Sequence, residues 1–387
     1  MRRIYLDHAA TTPMVPEAVE AMTRELTRVG NASSLHASGR SARRVVEESR
    51  EAIAAQVGAS PAELIFTSGG TEADNLAIKG AFWAGTEVGR QRVITSMLEH
   101  HAVLDSVAWL GSSASAKVSY IPADSAGRAD LSALSEAVDS ETALVSVMWG
   151  NNEVGTLQPV REIAATAAQH GAISHSDAVQ AVGHIEVDFA GSGLDMLSFT
   201  AHKLGGPYGI GALLARRELR LAPILHGGGQ EREVRSGTLD VAAAAGFAAA
   251  LEVATKKRAE EERRIRELRT DLVNSVLAAV PWAVGYGPTA EGDRLPGIAN
   301  FGFPGCSADA ILMLLDAAGI DCSTGAACSA GVSQPSHVLL AMGCSEADAR
   351  SALRFSLGHS STRADVAALA GALPEAVQRA KAAAAFA

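Results

Sequence analysis

"DMLSFTAHKLGGPYGIGALLARR", residues 195–217, holds two apolar runs of strand length joined by a glycine-rich turn, with a single lysine, Lys203, just past the first run. Lysine ordinarily sits on a solvated surface. Placed among small residues at a strand end, it is either a satisfied structural charge or an amine set to react with a carbonyl. Working outward, similar short runs recur as "ELIFTS" (63–68), "QRVITS" (91–96), "KVSYIPA" (117–123), "ALVSVMW" (143–149) and "GAISHSD" (171–177). Helix-length, alanine-rich segments separate most of them. This alternation predicts an α/β fold with a mostly parallel seven-stranded sheet covered by helices on both faces. Ligands of such sheets collect beyond the carboxyl ends of the strands.

At 387 residues the chain exceeds what one hydrophobic core comfortably serves, so two domains are expected. Residues 241–280 read as one long helix, or two in succession, leaving the first domain, with "KKRAEEERRIRELR" (256–269) as its solvated side. After Pro281 the texture changes to Gly and Pro turns around the apolar helix "ADAILMLLDAAG" and the strand-like "ALRFSLG", a smaller α+β domain. The expected division is 14–256 for the large domain, with 1–13 and 257–387 forming the small one. The alanine-rich end "AKAAAAFA" reads as a fraying helix.

Thirty-three basic against 43 acidic residues give a net charge of −10, and no purely basic stretch offsets it, so nucleic acid is not an expected partner. No run approaches the roughly 18 uninterrupted apolar residues of a membrane helix, and "MRRIYLDHAATTP" is too polar for a signal-peptide core. A cytoplasmic protein is expected, with no membrane partner. The four cysteines (Cys306, Cys322, Cys328, Cys344) show no CxxC pairing and suit a reducing compartment.

Several strand ends carry chemistry. In "LIFTSGGTEADNLAIKGAF", Gly69 and Gly70 lead from a strand into a helix that Thr71 is placed to cap, a plausible anion cradle, although such turns are common without a ligand. Asp177 ends "GAISHSD", with Gln180 three residues on; it is a helix cap or a carboxylate for a protonated ring nitrogen. Asn151 and Asn152 follow "ALVSVMW", where turn chemistry alone accounts for asparagine. His100 and His101 open a helix about 100° apart, a poor metal pair; His100 is either held by ordinary hydrogen bonds or free for ring stacking and acid–base work. Together, an anion cradle, a histidine, an acid with a nearby glutamine, and a lysine match what pyridoxal 5′-phosphate requires.

Ten stretches in order, among them "YLDHAATTP", "GNASSLHASGR", "FTSGGTEADNLAIKG", "NNEVGT", "SDAVQAVG", "SFTAHKLGGPYGIGAL", "HGGGQEREVRSGT" and "STGAACSAG", resemble the motifs of pyridoxal-phosphate-dependent cysteine desulfurases of the class V aminotransferase family. The resemblance implies a PLP-dependent fold type I enzyme. It makes Lys203 the Schiff-base lysine, Asp177 the partner of the pyridine nitrogen, Gln180 a ligand of the ring oxygen and His100 the stacking histidine and proton mover. Gly70, Thr71, Thr200 and His202 match phosphate binders, and Thr238 the one given by a partner subunit, so a homodimer is implied. Asn152 and Arg354 correspond to the holders of the substrate carboxylate, a task that suits the guanidinium fork.

"STGAACSAGVSQPSH" surrounds Cys328 with small residues, which predicts an accessible loop. The other three cysteines are expected to be inert small core residues. The loop length resembles the longer-loop desulfurases of iron–sulfur assembly. It implies L-cysteine as substrate, alanine and a Cys328 persulfide as products, and transfer to a sulfur acceptor or iron–sulfur scaffold protein, with tRNA thiolation as a further outlet. No resident metal is expected, although Cys328 is a candidate transient iron–sulfur ligand. Selenocysteine lyase and cysteine sulfinate desulfinase share the implied site. A nucleotide-binding protein is disfavoured because neither "GPYGIG" nor "TSGGTE" fits GxGxxG or GxxxxGK[ST].

Overall fold

Residues 3–325 and 334–384 are described by a computed structural model. Strand β1 (Ile4–Tyr5) precedes helices α1 (Pro16–Leu26) and α2 (Ala37–Gln56). Strands and helices then alternate as β2 (Leu64–Thr67), α3 (Gly70–Thr86), β3 (Arg92–Ser96), α4 (His101–Ser113), β4 (Lys117–Ile121), α5 (Leu131–Ala137) and β5 (Thr142–Ser146). The series continues through α6 (Val160–Gln169), β6 (Ile173–Asp177), α7 (Phe189–Ser192), β7 (Met196–Thr200) and β8 (Gly211–Ala215). Beyond α8 (Val241–Ala279) come β9 (Val284–Tyr286), β10 (Ile298–Gly302), α9 (Ala308–Ala317), β11 (Ile320–Asp321), α10 (His337–Ala341), α11 (Glu346–Arg350), β12 (Ala352–Ser356) and α12 (Arg363–Ala384).

All seven sequence runs form strands of one sheet, in the order β2-β8-β7-β6-β5-β3-β4. Strands β2, β5, β7 and β8 are buried along their whole length, which is why they read as unbroken apolar runs rather than alternating ones. Edge strand β4 keeps partly exposed side chains. Six strands point the same way, whereas β8 runs against them, antiparallel to both its neighbours β2 and β7. The cause lies in "LGGPYG": Gly205 and Gly209 turn the chain at φ +89° and +77°, and the connection is too short for a helical crossover.

Helix α8 is continuous across residues 256–257. Its first half gives Ala243, Phe247 and Leu251 to the core beside the large sheet, and its second half gives Ile265, Leu268 and Leu272 to a separate core with Phe301 and Phe355. The expected solvated face is therefore interrupted. Arg269 is only 2% exposed and pairs with Glu291, since a buried guanidinium persists only beside an anion. Strands β12-β10-β9 form a small antiparallel sheet, and β1 pairs parallel with β11, so the first residues join the second core. Helix α12 carries the alanine-rich end in helical form to Ala384.

Candidate active site

A cavity of about 410 Å³ opens beyond the carboxyl ends of β2, β5, β6 and β7. Its first wall is the turn between β2 and α3. Gly69 sits there at φ +156°, ψ −178°, a region only glycine enters freely, and it, not Thr71, is the residue that caps α3. A Cβ on Gly70 would meet Val179 Cγ2 at 2.8 Å, and one on Gly211 would meet Gly69 Cα at 2.8 Å. The glycines thus let β8, the turn and the 178–180 segment close together, leaving the unpaired amides at the start of a 17-residue helix at the cavity wall.

The floor is made by the ends of β6 and β7. Asp177, 6% exposed, accepts the Val179 N–H on Oδ1 at 2.8 Å, a local turn with no helix following, so the capping alternative falls away. Burial pushes its carboxyl up to about 6, against the Val179 amide and the Lys203 charge. Lys203 stands in a short helical turn after β7, its Nζ donating to Ala9 O and Ala10 O at 2.7 Å each. Burial first, then the nearby Arg354, pushes this amine down to about 8, while Asp177 and Asp7 pull the other way. An amine so placed is substantially neutral near pH 8, as a carbonyl-reactive lysine must be.

His100 caps α4 by accepting the Ala102 N–H on Nδ1 at 3.1 Å, which assigns the proton of the neutral ring to Nε2. Burial, with Lys203, His101 and His337 nearby, holds the ring down at about 4. His202 stacks on Tyr208 with ring centroids 5.6 Å apart and lies 3.2 Å from Thr11 Oγ1. Thr200 donates its hydroxyl to Ile210 O, and Gln180 Nε2 donates to Ala9 O at 2.8 Å. Arg354 reaches in from β12. Its Nη2 pairs with Asp7 Oδ1 at 2.7 Å and its Nη1 with Asn152 O at 3.0 Å, while the buried Nε has no partner.

The cavity thus gathers Gly70, Thr71, His100, Asn152, Asp177 and Gln180 with Thr200, His202, Lys203 and Arg354. Thr238 is exposed and does not line it. Cys328 lies outside the described residues, but both flanks of its segment converge on one buried carboxylate. Ser336 Oγ donates to Glu153 Oε2 at 2.5 Å, and a Cβ on Gly325 would stand 3.2 Å from the same oxygen. Cys322 departs from the expectation of a plain core cysteine, because it lines the cavity; burial and the acid at Asp7 push its thiol up to about 12, which leaves it a poor nucleophile. Cys344 is half-buried, and Cys306 is buried as expected.

Sequence reasoning missed Asp7, Asp74, Glu99, Glu153 and His175, all charged or titratable groups around this cavity. Two carried a signal. Asp74 lies four residues after Gly70, hence on the same helix face, and His175 lies two before Asp177, hence on the same face of its strand. Among the described residues no group of three or more His, Cys, Asp or Glu side chains could hold a metal ion, and no helix is long and apolar enough to cross a membrane.

The pattern that defines aminotransferase class-V matches residues 4–369. The chain belongs to the class V aminotransferase family. An "IscS-like cysteine desulfurase" of Mycobacterium tuberculosis is 55% identical over 384 residues, covering 98% of each chain. Among solved structures, a "NifS-like protein" superposes with a TM-score of 0.88 at 33% identity over the full length of both chains. "SspA in complex with cysteine" follows with a TM-score of 0.78 at 32% identity, over 91% of this chain and 98% of that one. The α/β class and the family expected from the sequence both stand.

Proposed function

We propose that this protein is a cysteine desulfurase that uses pyridoxal 5′-phosphate, converting L-cysteine to L-alanine and storing the sulfur as a persulfide on Cys328. The observation that carries the reading is the amine of Lys203, lowered to about 8, set in one cavity with Asp177 and the glycine turn at α3. These groups fit a phosphorylated pyridine aldehyde: amide donors for the phosphate, a buried carboxylate for the ring nitrogen, and a reactive amine. The relatives named as cysteine desulfurases point to the same chemistry.

Bound pyridoxal 5′-phosphate would supply a carbonyl for amine exchange and a protonated ring that withdraws electrons from the substrate Cα. Gly70, Thr71, Thr200 and His202 would hold its phosphate, Asp177 its ring nitrogen, Gln180 its ring oxygen, and His100 would stack on it. Arg354 would grip the substrate carboxylate with Asn152 beside it, its planar guanidinium fork matching the two carboxylate oxygens. Lys203 Nζ carries the Cα proton, and His100 Nε2 is a proton donor in the later steps. The Cys328 thiolate attacks the substrate Sγ, the Cβ–Sγ bond breaks with its electron pair to carbon, Cβ takes a proton, and the sulfur stays on Cys328. An acceptor thiol or an iron–sulfur scaffold protein then removes it, and tRNA thiolation is a second outlet. In this reading the protein is a cytoplasmic homodimer, with Thr238 serving the partner's phosphate site and no resident metal.

The test is alanine formation. Purified protein given L-cysteine and a thiol reductant should release alanine and sulfide in equal amounts, and faster than it acts on L-selenocysteine or L-cysteine sulfinate. Alanine from only one of the latter two would move the assignment to selenocysteine lyase or cysteine sulfinate desulfinase.

A further inference from the structure

The cavity floor contains an acid that the proposed chemistry does not use. Asp74, on α3, lines the cavity at 1% exposure, and its Oδ1 has no hydrogen-bond partner. His175 Nε2 lies 3.7 Å from that oxygen. His175 is fully buried, and both ring nitrogens are already taken, Nδ1 by Ser146 Oγ and Nε2 by Ser198 Oγ, each at 2.9 Å. An ionised carboxylate here would be desolvated with no compensating cation. Asp177, two residues after His175 on the same face of β6, is the second buried acid lining the cavity, and two buried carboxyls that feel each other's charge do not both ionise. The donors favour one of them: Asp177 has the Val179 amide at 2.8 Å.

We infer that Asp74 is a neutral carboxylic acid, the proton-bearing partner of a buried pair with Asp177, and thereby a positioning residue that leaves the pair's single negative charge on Asp177. The inference rests on the reading of Asp177 as the partner of the ring nitrogen. The field around the pair supports it. Burial, then the charge of Asp177, and more weakly Glu99, push Asp74 well above the ordinary carboxylate range against one hydroxyl, that of Ser198. Asp177 rises only to about 6 because the Val179 amide and Lys203 favour its charged form. His175 supplies no cation, since burial holds it down at about 3. Glu99 is a third buried acid, pushed up to about 8, and it too stays protonated at neutral pH.

The experiment is infrared spectroscopy at pH 7 on the cofactor-free and the cofactor-loaded protein, reading the carbonyl stretch of protonated carboxylic acids shielded from exchange. The wild type should show absorption from two such acids. Asp74→Asn should remove one, Glu99→Gln the other, and Asp177→Asn neither. Loss of a band in Asp177→Asn, or an unchanged spectrum in Asp74→Asn, overturns the inference. If Asp74→Asn does not fold, the comparison of wild type with Asp177→Asn still decides where the proton sits. Binding of pyridoxal 5′-phosphate separates the underlying reading: Asp177→Asn should weaken it at least tenfold, whereas Asp74→Asn, which keeps a neutral donor, should stay within about threefold. Wild-type affinity in Asp177→Asn would overturn the role of Asp177 while leaving the location of the proton intact.

Discussion

Two cations line one cavity and are treated in opposite ways. Lys203, at the end of β7 in the large sheet, has its amine against two backbone carbonyls and is pushed down to about 8. Arg354, in β12 of the small sheet, meets the carboxylate of Asp7 and keeps a charge it has no means to shed. The large sheet therefore presents an amine ready to lose its proton, and the small sheet a fixed positive fork. A reaction that needs both a nucleophile for a carbonyl and a clamp for a carboxylate requires this division, and exchanging the residue types should break it.

The largest effect is expected from Lys203→Arg. A permanent cation in the lysine's place cannot form a covalent bond to the cofactor aldehyde, so the visible absorption of the bound cofactor should vanish and alanine formation fall to background. Retention of that band would move the covalent attachment to another amine. Arg354→Lys should be milder, because the charge survives while the fork is lost. Loss of one charge-assisted hydrogen bond, about 1.5–3 kcal/mol, corresponds to a KM for cysteine raised roughly ten- to a hundredfold, with kcat less affected. A change confined to kcat would place Arg354 away from the substrate carboxylate.

The smallest effect is a slope. The Lys203 amine titrates near 8 in the folded protein and near 10.5 when unfolded. Between these values the unfolded chain binds the extra proton, so the stability of the cofactor-free protein gains from this group as pH rises and loses that gain as pH falls through 8. Lys203→Met should flatten that part of the denaturation profile, measured as the difference between the two proteins. An identical slope in both would mean that the amine titrates normally.

The legible parts of the sequence share a physical cause. Strands β2, β5, β7 and β8 announced themselves because strands covered on both faces read as apolar runs, and the glycine turn because few other residues take the φ of Gly69. Lys203, Asp177 and His100 were readable as polar groups at the ends of such runs. The direction of β8 was less so, since it depends on a short connection rather than on the strand's own residues. Asp74 and Glu99 were missed because a buried acid inside a helix or turn carries the same letter as a solvated one; only the surrounding fold makes it neutral. Arg269 was misread for the same reason, its partner Glu291 lying 22 residues further on, past the end of α8. Thr71 lost the cap to Gly69 because the turn needs a positive φ where the cap falls.

The most direct test joins Lys203 to Cys328. The holoenzyme is mixed with L-cysteine without reductant, alkylated and digested, and the peptide containing Cys328 is weighed. The account predicts that this peptide gains one sulfur atom while alanine appears in equal amount, and that Cys328→Ser keeps the cofactor's visible band but forms no persulfide. Alanine produced at the wild-type rate by Cys328→Ser, or the extra sulfur found on Cys322 instead, would contradict it.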